Sequence, residues 1–88
     1  MLLEIKLNQS EVELKLLKNR RTIDFITAKY YHDLSDVLIT GLDKLLRRNK
    51  IDTTTLKSFK IKGNLGQDST SYKITSALVE ALKLRDRS

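Results

Sequence analysis

The sequence contains no cysteine and no proline, a single histidine, and glycine only at positions 41, 63 and 66. Without thiols there is no disulfide framework and no thiolate metal centre, so the fold rests on packing and hydrogen bonds alone. The same absence fits a reducing, cytoplasmic setting. The lack of proline, the scarcity of glycine and the absence of repeats leave no linker or low-complexity stretch to divide the chain. No run approaches the ~18 apolar residues of a membrane span. The start, Met1-Leu2-Leu3-Glu4, has neither a charged n-region nor an apolar h-region, so no signal peptide is expected.

What is present is one short chain of 88 residues, read as a single domain over 1–88. A chain of this size hides only roughly 60–65% of the surface its unfolded form exposes, so its core is thin and docking onto another surface adds useful stability. Hydrophobic residues make up 40% and charged residues 32%, and their periodic spacing argues for a globular fold rather than disorder. The net charge of +6 points to nucleic acid or another acidic partner, or to nothing beyond solubility.

Three successive runs alternate with period two. In Leu2 to Asn8, Leu3, Ile5 and Leu7 oppose Leu2, Glu4, Lys6 and Asn8. In Glu11 to Lys18, Val12, Leu14 and Leu16 oppose Glu11, Glu13, Lys15 and Leu17. In Arg21 to Ala28, Ile23, Phe25 and Thr27 oppose Thr22, Asp24, Ile26 and Ala28. Polar turns at Asn8-Gln9-Ser10 and Lys18-Asn19-Arg20 join them into an antiparallel meander with one solvated face, on which Glu4, Glu11, Glu13 and Asp24 are expected. From Asp33 to Asn49 the period becomes helical, with Asp33 the expected N-cap, Asp36 in the first turn and Lys44, Arg47 and Arg48 in the last turns. A polar link precedes a fourth strand, Leu56 to Lys62, with Phe59 and Ile61 inward and Lys60 and Lys62 outward. After a turn-prone loop at 63–67, Asp68 is the expected cap of a second helix from Ser69 to Leu84, with a core stripe of Ile74, Ala77, Leu78, Ala81 and Leu82; the tail from Arg85 is expected to fray.

The order βββαβα, with a right-handed crossover, predicts a two-layer α/β fold. Its mixed four-stranded sheet has order 3-2-1-4, and both helices lie on one face.

Few residues point to chemistry. His32 stands alone, with no cysteine to complete a zinc set and no partner for base catalysis beyond Asp33 and Asp36. The loop at 63–68 joins a strand to a helix, where phosphate loops occur, but matches neither G-x-x-x-x-G-K-[ST] nor G-x-G-x-x-G. The sheet carboxylates alternate with Lys6, Lys15 and Arg21, a pattern of cross-strand pairing rather than paired catalytic acids. No catalytic, cofactor-binding or metal site is therefore expected. Arg47, Arg48, Lys50, Lys57, Lys60 and Lys62 form a basic strip, read either as candidate phosphate contacts or as protection of an exposed edge strand. The first helix is apolar over more than the ~100° stripe that one sheet needs. Ile39, Leu42 and Leu46 supply the excess, and Tyr72, Val79 and Lys83 lie off the second helix's stripe. These six are candidate partner-binding residues.

Certain stretches carry a resemblance. His32-Asp33-Leu34-Ser35-Asp36-Val37-Leu38 is similar to a histidine-serine helix start leading into a leucine-rich helix. Leu42-Asp43-Lys44-Leu45-Leu46, followed by Ile51-Asp52-Thr53-Thr54-Thr55-Leu56, is similar to the helix end, polar link and strand of the same family. In Leu65 to Ile74, Thr70, Lys73 and Ile74 match its loop G-P-G-S-F-T-G-L-R-I. The chain thus resembles the N-terminal half-domain of the TsaB-like (YeaZ-type) subunit of the bacterial tRNA threonylcarbamoyladenosine machinery, a ribonuclease H-like/actin-like half-domain. It departs at the end of the first strand, where Lys6-Leu7-Asn8 replaces Asp-Thr-Ser, and in the reduced glycine loop. It is expected to be a truncated, degenerate version. The resemblance implies a non-catalytic scaffold without cofactor, pairing through its two helices with itself or with a TsaD-like protein. The basic strip supports an alternative, a small nucleic-acid-binding protein.

Overall fold

The computed structural model describes residues 1–63, 66 and 69–85. Strands β1 (Leu2–Leu7), β2 (Glu11–Lys18) and β3 (Arg21–Lys29) form the meander. Helix α1 (Leu34–Arg48), a short 3-10 turn (Thr53–Thr55), strand β4 (Ser58–Gly63) and helix α2 (Thr70–Arg85) follow. The sheet order is β3-β2-β1-β4, antiparallel throughout the meander and parallel between β1 and β4. This is the expected topology, with both helices on one face.

Leu3, Ile5 and Leu7 of β1 and Val12, Leu14 and Leu16 of β2 are buried under the helices, against Leu34, Leu38 and Leu45 of α1 and Val79 and Leu82 of α2. Leu56, which was assigned to the fourth strand, instead plugs the core ahead of β4 and is completely buried. Burying a leucine contributes about 1.5–3 kcal/mol, so this apolar layer is the main source of stability. Tyr30 joins it from the end of β3: its ring is 4% exposed and its hydroxyl donates to the Asn8 carbonyl, 3.3 Å from Ser71 Oγ. One side chain thus ties the β1–β2 turn, the end of β3 and the start of α2 together.

Backbone geometry explains the joints. Asn19 and Arg20, with φ of 53° and 68°, make the two-residue hairpin between β2 and β3, which needs positive φ at both positions. Lys50, with φ of 57°, ends α1 in a Schellman arrangement. Its N–H donates to the Arg47 carbonyl at 3.1 Å and the Ile51 N–H to the Leu46 carbonyl at 3.0 Å. Gly63, with φ of 135°, closes β4 where a Cβ would lie 1.9 Å from the Leu7 carbonyl oxygen, so no other residue fits there without moving the strands.

Three further sequence expectations need correcting. First, β3 presents Ile26 and Ala28 to the core, whereas Phe25 and Ile23 are 53% and 43% exposed. Between Leu16↔Asp24 and Leu17↔Thr22 the ladder advances two residues on β3 for one on β2, and this β-bulge accommodates Ile23. Asp24 is therefore on the helix side and not on the open face. Second, Asp33 occupies the N-cap position without capping: its carboxylate turns back to accept from the Tyr31 N–H at 3.0 Å. Third, the inward stripe of α2 is turned by roughly one residue step, ~100°. Thr75 and Val79 are buried and Ala77 and Ala81 exposed. The Thr75 hydroxyl donates to the Ser71 carbonyl at 2.9 Å, which lets a threonine sit where an apolar residue was expected. At the start of α2, Ser69 Oγ accepts from the Tyr72 N–H at 3.1 Å. Asp68, the expected cap, lies outside the described residues, as do most of the 63–67 loop and the tail beyond Arg85.

Candidate interaction surface

The helix layer carries a groove. Ile39, Leu42 and Leu46 of α1 face Leu78, Ala81 and Leu82 of α2 across it, with Asp43 and Thr53 at the rim. Its volume is about 340 Å³, and among the described residues Asp43 and Thr53 are the only polar side chains lining it. A small-molecule site of that size needs convergent polar groups to orient its ligand. These walls instead suit apolar side chains from another helix. Leu42 and Leu46 are mostly buried within the chain itself, at 6% and 7%, while Ile39 stands 56% exposed on the lip. Leu84, 62% exposed, adds a further apolar side chain on α2.

The six candidate partner residues separate into three groups. Ile39, Leu42 and Leu46 converge on the groove. Val79, 5% exposed, belongs to the core. Tyr72, half-buried, and Lys83, exposed and 3.5 Å from Glu80, project from the flank of α2 away from the groove. The sequence missed Leu78 and Ala81 as groove walls, because the turned stripe had placed both in the core.

The basic strip also divides. Lys60 and Lys62 sit on the open face of the sheet, opposite Glu4 and Lys6 in the ladder. Lys62 Nζ is 3.5 Å from Glu4, the cross-strand pairing that the alternating charges suggested. Arg47 and Arg48 belong to the helix layer, and both are paired. Arg47 Nε lies 3.1 Å from Asp43, one turn back. Arg48 grips Asp24 with two bonds, Nε to Oδ2 at 2.8 Å and Nη2 to Oδ1 at 2.7 Å, and also donates to the Phe25 carbonyl at 2.9 Å. Asn49 Nδ2 adds a bond to Asp24 at 2.9 Å and one to the Leu45 carbonyl at 2.8 Å. These donors, Arg48 first and Asn49 next, hold the Asp24 carboxyl down at about 2. The clamp fastens the end of α1 to the edge strand. Lys50 and Lys57 are exposed, without a carboxylate partner among the described residues. Asp52, which starts the 3-10 turn, is also held below the usual carboxylate range, by the Thr54 hydroxyl and then its N–H.

His32 is exposed. Among the described residues no group of three or more His, Cys, Asp or Glu is placed to hold a metal ion, and no helix is long and apolar enough to cross a membrane.

A four-stranded mixed sheet of order 3-2-1-4 with two helices on one face defines a YeaZ-like half-domain. Compared with solved structures, the chain is similar to YeaZ from Pseudomonas aeruginosa, with a TM-score of 0.79 at 15% sequence identity. The match covers 98% of this chain and 39% of that one, so the chain spans well under half the length of its structural neighbour. At this identity the likeness is one of fold. No protein-family model and no curated protein matches the sequence.

Proposed function

We propose that this chain is a non-catalytic interaction module of TsaB-like type that pairs through its helix layer, with a second copy of itself or with a TsaD-like protein, in the cytoplasm. A role in tRNA modification belongs to the same reading. One observation carries it: the α1–α2 groove is apolar, and Ile39 stands uncovered at its lip. The YeaZ fold supports the reading by making this layer the counterpart of the helices expected to pair.

Sedimentation velocity tests it. Wild-type protein sediments as a dimer, or as a complex when mixed with a TsaD-like protein. Ile39→Asp and Ala81→Glu return it to monomer with an unchanged far-ultraviolet circular dichroism spectrum, because both positions are exposed. Leu42, Leu46 and Val79 are unsuitable for this purpose: a charge at these buried positions unfolds the chain and leaves association unread. A wild type that stays monomeric and ignores a TsaD-like protein overturns the proposal.

A further inference from the structure

The face of the sheet opposite the helices is uncovered, and its composition is uneven. The ladder sets Lys60, Glu4, Lys15 and Phe25 in one row across the four strands, and Lys62, Lys6, Glu13 and Thr27 in the next. Glu4 and Glu13 are neutralised by Lys62 at 3.5 Å and Lys15 at 3.6 Å. What remains without a salt-bridge partner among the described residues is mainly positive: Lys6 and Lys60 on the face and Lys29 at the end of β3, the last set opposite Glu11 in the ladder. The acids Asp33 and Asp36 lie elsewhere, at the start of α1. Phe25 rises from this field with half its surface exposed, and the exposed Ile23 lies beside Arg21 in a shallow groove. Lys29 stands ~13 Å from Phe25 along the strand on this face, whereas Arg21, opposite Lys18 in the ladder, lies beyond the bulge on the helix side.

We infer that this sheet face binds single-stranded nucleic acid, one base stacking on Phe25 against Ile23 while phosphates run past Lys29, Lys6 and Lys60. An aromatic ring flanked by cations is the arrangement that holds an unpaired strand without reading its sequence. A duplex keeps its bases stacked on each other, and this face has no projecting helix to enter a major groove. A flat anionic lipid surface would press against Glu11, which has no ion pair among the described residues, whereas a strand can run around it. The site does not depend on the helix-layer pairing, since it lies on the other side of the molecule. It shares Lys60 and Lys62 with the 47–62 strip but not the strip's arginines, which are bound to Asp43 and Asp24.

Fluorescence anisotropy with a labelled oligouridylate at low salt is the test. Wild type binds, and binding weakens with salt. Phe25→Ala weakens it about tenfold. Lys60→Gln and Lys29→Gln each reduce the slope of log affinity against log salt by about 0.7. Thermal melts confirm that these surface variants stay folded. The inference is overturned by absence of binding, or by equal affinity for a duplex of the same length. It is equally overturned if Lys50→Gln or Lys57→Gln abolishes binding that Phe25→Ala leaves intact. Binding to phosphatidylserine vesicles that the oligouridylate cannot displace would make the face a membrane site instead.

Discussion

Lys50 shows how one residue can work against the joint it makes. A lysine in the left-handed region suffers contact between its Cβ and the carbonyl oxygen, a cost of about 1–2 kcal/mol that glycine escapes. The Schellman bonds from Lys50 and Ile51 nonetheless hold it there, and Ile51 packs on the core just beyond. Glycine would lose more entropy on folding, which returns part of the gain. Lys50→Gly should therefore raise stability by about 1 kcal/mol, a rise of roughly 4–8 °C in melting midpoint for a domain of this size. Differential scanning calorimetry reads it directly. An unchanged or lower midpoint would mean that the side chain makes a compensating contribution.

At the scale of the element, β1, β2 and α1 were legible because their patterns admit one reading. Leu3, Ile5 and Leu7 alternate with polar or peripheral residues, so only one face can be buried. Strand β3 offers apolar residues on both parities, Ile23 and Phe25 against Ile26 and Ala28, and a lone aspartate tips the reading outward. That choice was wrong because the deciding partners, Arg48 and Asn49, come from α1 across the fold, and alternation carries no trace of them. Helix α2 misled for the complementary reason: Thr75 satisfies its own hydroxyl and enters the core unannounced. The candidate groove was half legible. Ile39, Leu42 and Leu46 showed as surplus on α1, but the facing wall depended on the rotation of α2. The Asp24 clamp also makes a pH prediction. Its folded-state carboxyl, held at about 2, lies below that of an unfolded aspartate, so the ionised form favours the fold. The contribution is complete above the unfolded value near 3.9 and disappears as pH falls through about 2. In parallel urea titrations, wild type should be more stable than Asp24→Asn at neutral pH. The difference should narrow between about pH 4 and pH 2.

Over the whole molecule the two surfaces stand back to back and obey different physics. Pairing through the groove around Ile39 removes apolar area from water, which added salt does not weaken. Contacts from Lys29, Lys6 and Lys60 to phosphate release counterions and lose affinity as salt rises. If helix layers meet each other, both sheet faces turn outward, and one dimer offers two strand-binding sites. Sedimentation with a labelled oligouridylate should then show two stages. At low salt the label travels with the dimer; at raised salt the label is released while the protein still sediments as a dimer. Dissociation of both together would mean that the helix contact rests on the Asp43–Arg47 rim and not on the groove. In that event Asp43→Asn should weaken the dimer as much as Ile39→Asp does.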